Sequence, residues 1–173
     1  MFIEGGDIKL RALKTTDAIP ISGLLNNKKI SGNLRDRVPY PYTTEDADHF
    51  LNIISKQDPV TTFAIEYKEL FCGVIGLFLL EDVYRKSAEI GYWLGEPFWN
   101  KGIMTKAVDL ICHYGFEQLD VVRIHTGIFE YNKASMTVLE KNGFVKEGIS
   151  RKAVFKNGKL WDEHKYAKLK EDL

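Results

Sequence analysis

The stretch Glu89-Ile90-Gly91-Tyr92-Trp93-Leu94-Gly95-Glu96-Pro97-Phe98-Trp99-Asn100-Lys101-Gly102-Ile103-Met104-Thr105 holds the residue types and spacing with most chemistry in them. An alternating segment runs into a tight turn, and the turn opens a long amphipathic helix. The first backbone N–H groups of such a helix lack internal partners and carry its positive dipole end. A phosphate placed there answers both. Gly102 suits that role, because a glycine in a first helical turn is otherwise unfavourable by ~1 kcal/mol against alanine. Its missing side chain also lets another group approach the backbone closely. The same glycine would equally serve to start a helix or to pack against a strand. Glu89 adds a carboxylate that shares a strand face with Gly91 and Trp93, opposite Ile90, Tyr92 and Leu94.

The elements that must position this turn follow from hydrophobic period. Residues 8–13 alternate as a half-buried strand does. Thr16-Asp17 caps a helix over 18–27, with Pro20 tolerable in its first turn. The run Val38-Pro39-Tyr40-Pro41-Tyr42 cannot be helical, since each proline pushes its predecessor to extended geometry. Thr43 or Thr44 caps a second helix reaching about Lys56. Three extended stretches follow at 61–67, 71–80 and 86–94, the middle one nearly all apolar and so covered on both faces. A helix spans 101–119, with Met104, Ala107, Val108, Ile111 and Gly115 on one stripe, and 121–129 reads as a strand. Asn132 caps a short helix that Gly143 ends. Residues 144–155 and 160–169 flank Asn157-Gly158, a hairpin-turn signal. The order β-α-α-β-β-β-α-β-α-β-β predicts a mixed α/β or α+β sheet with helices packed on it, not a regular βα alternation.

Composition narrows the function classes. The chain of 173 residues, 45% hydrophobic and 28% charged, is one domain's worth, with no linker, repeat or low-complexity segment. Lys+Arg and Asp+Glu are each 24, so the basic surplus of an electrostatic nucleic-acid binder is missing. Cys72 and Cys112 lie in apolar stretches and read as small buried hydrophobes in a reducing compartment. The four histidines form no close ligand pair with cysteine or one another, which argues against a zinc site and predicts no metal. No signal peptide precedes the first strand and no apolar run reaches membrane-spanning length, so the expectation is cytoplasmic, with no membrane partner.

The Ala88-Glu-Ile-Gly-Tyr-Trp-Leu94 run and the Trp99-Asn-Lys-Gly-Ile-Met104 turn occur in order with Asn132-Lys-Ala-Ser135 and Lys141-Asn-Gly-Phe144. In that order and spacing they resemble the GNAT family of N-acetyltransferases. With the Val38-Pro-Tyr-Pro-Tyr42 run, the chain is most similar to the branch that acetylates ribosomal-protein N-termini. The resemblance covers roughly residues 8–168 of a single 1–173 domain. It implies a mixed, mostly antiparallel central sheet of about six to seven strands with helices on both faces. It also implies transfer of acetyl from acetyl-CoA to a primary amine, such as a protein N-terminal amine, by direct attack in a ternary complex.

The resemblance further implies a division of roles. Trp93, Leu94, Gly95, Trp99, Asn100, Lys101, Gly102, Ile103, Met104 and Thr105 would hold the cofactor, with a backbone N–H near Leu94 polarising the thioester carbonyl. Asn132 would hold the pantetheine arm. Lys101, Lys106, Lys133 and Lys141 lie where phosphates could be met. Glu89 is the candidate general base, or else a surface glutamate or a partner of Arg123. Ser135 is the candidate donor to the leaving thiolate, because Leu139 stands where many members carry a tyrosine. Plain helix capping would also account for Asn132 and Ser135. Tyr40, Tyr42 and Trp93 are candidate walls of the acceptor pocket. The chain departs from the family turn at Trp99 and Met104. Those departures and Leu139 keep open a non-catalytic acyl-CoA sensor, and a polyamine or another small amine stays open as acceptor. The C-terminal hairpin offers edges for a homodimer.

Overall fold

The computed structural model describes residues 2–173, and eight strands in it form one sheet. These are β1 (Phe2–Gly5), β2 (Ile8–Ala12), β3 (Thr62–Tyr67), β4 (Leu70–Leu79), β5 (Ser87–Leu94), β6 (Arg123–Phe129), β7 (Val145–Lys156) and β8 (Lys159–Leu169). Their spatial order is β1-β2-β3-β4-β5-β6-β8-β7. Every neighbouring pair is antiparallel except β5 with β6. Helices α1 (Ala18–Leu25), α2 (Lys28–Ser31) and α3 (Thr44–Ile54) connect β2 to β3. Helix α4 (Ile103–Gln118) crosses from β5 to β6, and α5 (Lys133–Lys141) leads from β6 to β7. No described helix is long and apolar enough to cross a membrane.

The mixed, mostly antiparallel sheet with helices on both faces is as expected, but it has eight strands rather than six or seven. Strand β1 was missed because four residues are too few to show a period. Its signal was the turn after it, where Gly6 takes φ +63° and Phe2 comes opposite Arg11. Helix α2 was missed for a similar reason. It has one buried side chain, Ile30, and a polar start at Asn27, whose side chain accepts from the Lys29 N–H.

Two apolar layers sandwich the sheet. One gathers Ile75, Leu77 and Ile90 from the strands under Ile103, Met104, Ala107, Val108 and Ile111 of α4 and Leu139 of α5. The other gathers Ala18, Ile21 and Leu25 of α1 with Ala47 and Leu51 of α3, against Phe71, Trp93 and Trp99. Successive residues of β5 therefore feed opposite layers: Ile90, Tyr92 and Leu94 face α4, whereas Trp93 faces α1 and α3.

The second layer is pinned to the sheet by an ion cluster. Arg11 on β2 donates to both carboxylate oxygens of Asp17 at 2.8 Å and also pairs with Glu66 on β3. Asp17 is 4% exposed and accepts the Lys14 N–H at 2.7 Å. Removing one partner of such a cluster strands a charge away from water. Asp17→Ala is expected to lower unfolding free energy by about 3 kcal/mol, read from urea denaturation. An unchanged midpoint would show that the cluster does not anchor α1.

Candidate active site

Strands β5 and β6 pair only from Ser87 with Arg123 to Glu89 with His125. Beyond that point β5 continues to Leu94 and β6 to Phe129 without a shared ladder, so the sheet opens into a slot. The backbone groups along the inner edges of the slot are left for something other than a strand to satisfy. One of them has a definite direction. The Gly95 N–H donates to the Cys72 carbonyl at 2.8 Å, toward β4. By strand alternation the Leu94 N–H points the opposite way, into the slot, where a carbonyl oxygen can accept it. The Leu94 carbonyl is already taken by the Trp99 indole N–H at 2.8 Å.

At the mouth of the slot the chain turns through a short 3₁₀ segment, Glu96–Phe98, into α4. Asn100 takes φ +59° and Gly102 takes φ +72°, with Gly102 as the cap residue of the helix. Left-handed residues in a turn gather successive N–H groups into a concavity that suits an anion. The first helical bond is Lys106 N–H to Gly102 O, which leaves the N–H groups of Ile103, Met104 and Thr105 outward. The positive φ accounts for glycine at 102, and a Cβ there would meet nothing within 4 Å. The space before the helix is therefore open.

The candidate cofactor residues divide by side-chain direction. Met104 is 8% exposed and packs in the α4 layer, while the Trp99 ring packs in the α1–α3 layer. Both departures from the family turn thus point into cores, and what positions 99 and 104 offer a phosphate is backbone. Lys101 donates to the Pro97 carbonyl at 2.9 Å, and Lys106 pairs with Asp109 at 2.7 Å. Lys133 and Lys141 are exposed.

Asn132 and Ser135 are brought to the slot from the α4–α5 side. Asn132 caps α5, its side chain accepting the Ser135 N–H at 3.3 Å. The capping reading of Asn132 is therefore realised. The Ser135 hydroxyl does something further, meeting the Tyr92 hydroxyl at 2.7 Å. Ser135 is 8% exposed. Burial pushes the Tyr92 phenol well above its usual pKa, partly offset by the Ser135 hydrogen bond, so it stays protonated across physiological pH. Tyr92 was missed in the sequence. Its signal was the inward phase of β5 together with the non-donating Leu139, which is wholly buried.

Glu89 lies on the opposite face, toward the α2–α3 loop. Its partner is Arg35, not Arg123. Arg123 instead makes a two-toothed pair with Glu147. No sequence pattern links positions 35 and 89, because the loop crosses the sheet only in three dimensions. Among the candidate acceptor walls, Trp93 lies on the Glu89 face and packs against Phe71, and Tyr40 is exposed. Tyr42 is different. Its ring is 6% exposed within the α1–α3 layer, and its backbone is clamped by the Asn26 amide. Burial, then Asp46, pushes its phenol up to about 12, so Tyr42 is packing and not an open wall.

The acetyltransferase (GNAT) domain profile matches residues 7–145. The chain belongs to the GNAT family. Bacillus subtilis YjcK, named as a probable N-acetyltransferase, is 32% identical over 179 residues, covering 94% of this chain and 93% of that protein. RimL, a ribosomal L7/L12 alpha-N-protein acetyltransferase solved with coenzyme A, aligns with a TM-score of 0.87 at 25% identity over 98% of each chain. The microcin C7 self-immunity acetyltransferase MccE, solved with acetyl-CoA and AMP, aligns with a TM-score of 0.81 at 29% identity over 95% of this chain and 93% of that one. The chain is thus an acetyl-CoA-dependent N-acetyltransferase of the GNAT family. Its slot and backbone turn fit that co-substrate: inner-edge amides for an extended amide-bearing arm, and a helix start for its phosphates.

The slot depends on a close approach behind it. A Cβ on Gly73 of β4 would come 2.2 Å from the Trp93 carbonyl oxygen, so β5 lies where it does because position 73 has no side chain. Gly73→Ala is expected to cost about 2 kcal/mol of stability by overpacking and to weaken coenzyme A binding in calorimetric titration. Unchanged affinity would mean that the end of β5 does not set the slot.

Proposed function

We propose that this GNAT enzyme acetylates a protein N-terminal amine by direct attack in a ternary complex, with Glu89 as base and Ser135, backed by Tyr92, as acid. The observation that carries this reading is the placement of the carboxylate and the hydroxyl pair on opposite faces of the sheet at one slot. Glu89 and Tyr92 are three residues apart along β5, roughly 10 Å, enough to leave an acetyl group between them.

Acetyl-CoA supplies the activated thioester. Glu89 takes the proton that the amine must lose, which matters because an α-amino group with a pKa of about 8 arrives largely protonated. The Leu94 N–H steadies the carbonyl oxygen as the C–N bond forms and the C–S bond breaks. Ser135 hands its proton to the departing sulfur and draws on the Tyr92 hydroxyl beside it. Two protons leave the ammonium nitrogen. Glu89 passes the first to solvent before attack and takes the second as the C–N bond forms. Sulfur gains one from Ser135, which solvent restores, so one proton is released in all. Asn132, half-buried at the start of α5, faces the arm that carries the thioester.

Support for a protein N-terminus comes from relatives. Escherichia coli ribosomal-protein-serine acetyltransferase is 32% identical over 107 residues, covering 62% of this chain and 59% of that protein. A polyamine is the second reading, favoured by the E. coli spermidine N(1)-acetyltransferase, 26% identical over 151 residues, which cover 87% of this chain and 80% of that protein. The sensor reading loses its motive, since Trp99 and Met104 turn into cores and Tyr92 supplies the hydroxyl that Leu139 lacks. An edge-paired homodimer has support in the open outer edge of β7 and in exposed Phe155 and Leu160 beside the hairpin turn.

Thiol release measured over N-terminal peptides and polyamines tests both acceptors. Glu89→Gln is expected to lower kcat roughly 100-fold. Ser135→Ala and Tyr92→Phe should lower it about tenfold each, and no more when combined, because the two hydroxyls act as one unit. The KM for acetyl-CoA should hardly move. Full activity in Glu89→Gln would refute the base, and additive losses in the double variant would refute the paired acid.

A further inference from the structure

We propose that the acceptor carries an anionic group near its amine, a carboxylate or phosphate, which draws Arg35 off Glu89 and thereby frees the base. This rests on Glu89 being the base. Arg35 holds the Oε1 of Glu89 and sets a positive charge beside the carboxylate, where it competes for the base and repels an arriving ammonium. Drawing Arg35 off Glu89 removes that competition.

The surroundings say what would move Arg35. Glu89 and Phe78 are direct cross-strand partners on β5 and β4 and share the face turned to the α2–α3 loop. Arg35 pairs with Glu89, and the Arg37 guanidinium sits 5.8 Å from the centre of the Phe78 ring. Two arginines from one loop thus converge on one cross-strand pair. Asp36 between them is engaged by Lys156 of β7 at 2.6 Å, and no carboxylate lies within ion-pair distance of Arg37 among the described residues. Glu89 offsets Arg35 alone, which leaves the Arg37 charge in excess at this corner. His125, next to Glu89 across the parallel pair, does not add to it. Burial, then Arg123, lowers its pKa, with Glu89 acting in the other direction.

The loop itself is held, so the response falls to side chains. The Gly32 carbonyl accepts the Tyr131 hydroxyl at 2.5 Å, and the Asp36–Lys156 pair fixes the far side. Arg35 is half-exposed at 52% of its side chain. It can swing without unfolding anything. A guanidinium takes a carboxylate or phosphate in the same two-toothed geometry, so an anionic substituent competes directly with Glu89. A polyamine offers no such competitor and meets two like charges instead, which makes the pair a filter as well as a gate.

Calorimetric titration of the protein saturated with coenzyme A tests this without requiring turnover, and the coenzyme keeps the probes away from the turn before α4. The probes are ethanolamine, O-phosphoethanolamine and β-alanine. At least one anionic amine is expected to bind roughly tenfold tighter than ethanolamine, and the tighter of the two identifies phosphate or carboxylate as the preferred group. Arg35→Gln with Arg37→Gln should erase the preference. Glu89→Gln should strengthen anion binding, because Arg35 no longer has a resident partner. Equal affinities, undetectable binding of both anionic amines, or a preference that survives loss of both arginines would each overturn the proposal. Turnover of Glu89→Gln is read separately. If that variant is active the base assignment falls, whereas an inactive variant beside equal probe affinities removes the gate alone.

Discussion

Between β5 and β6 the ladder stops after Glu89 and His125, although β5 runs on to Leu94 and β6 to Phe129. Backbone N–H and C=O groups in the middle of a sheet are costly to leave unmade. In the proposed complex an extended, amide-bearing molecule enters this gap and acts as a missing strand. The rest of the site is arranged around that vacancy in the ladder. The Leu94 N–H faces it, α5 begins beside it and brings Ser135, and the loop after α2 brings Arg35 to its closed end.

The same gap explains the position of α4. The two strands that diverge are the sheet's one parallel pair, and a parallel pair needs a crossover between its members. Helix α4 is that crossover. It must start where β5 ends, which is the open end of the slot, so its unpaired N–H groups fall where an anionic tail emerging from the slot would lie. Residues 100 and 102 adopt left-handed geometry to make this change of direction in few residues. The proposed phosphate recognition is a consequence of topology more than of side chains, which is why Trp99 and Met104 can be absorbed into the two cores without removing it.

What was legible in the sequence was whatever depends on local period. The alternation of β5 put Glu89 and Tyr92 on opposite faces, the apolar run of β4 announced a strand covered on both sides, and Asn157-Gly158 placed the hairpin turn, with both residues at positive φ. Partners distant along the chain were not legible. Glu89 had a charged candidate in Arg123, but the parallel register sets Arg123 beside Ser87, within reach of Glu147. Arg35 arrives from a loop whose course depends on α2, itself too short to show a period. Tyr42 read as a pocket aromatic because ring type says nothing about direction. Its clamp by Asn26, sixteen residues away, turns it inward.

The two faces of β5 also differ in kind, and the difference matches the proposed proton traffic. Tyr92 and Ser135 lie against the larger apolar layer under α4 and α5, where burial holds a phenol protonated and a hydroxyl pair loses little to water. Glu89 lies on the face that meets a polar loop and pairs there with Arg35. An acid works best when its proton is retained until the sulfur departs, and a base works best when it is ionised before the amine arrives. Exchanging the two environments would defeat both: a carboxylate under α4 would take up a proton, and a hydroxyl pair beside Arg35 and Arg37 would compete with solvent. The strand's two-residue period therefore does more than fill two cores. It separates the proposed base from the proposed acid by the thickness of one sheet, with the opening in that sheet between them.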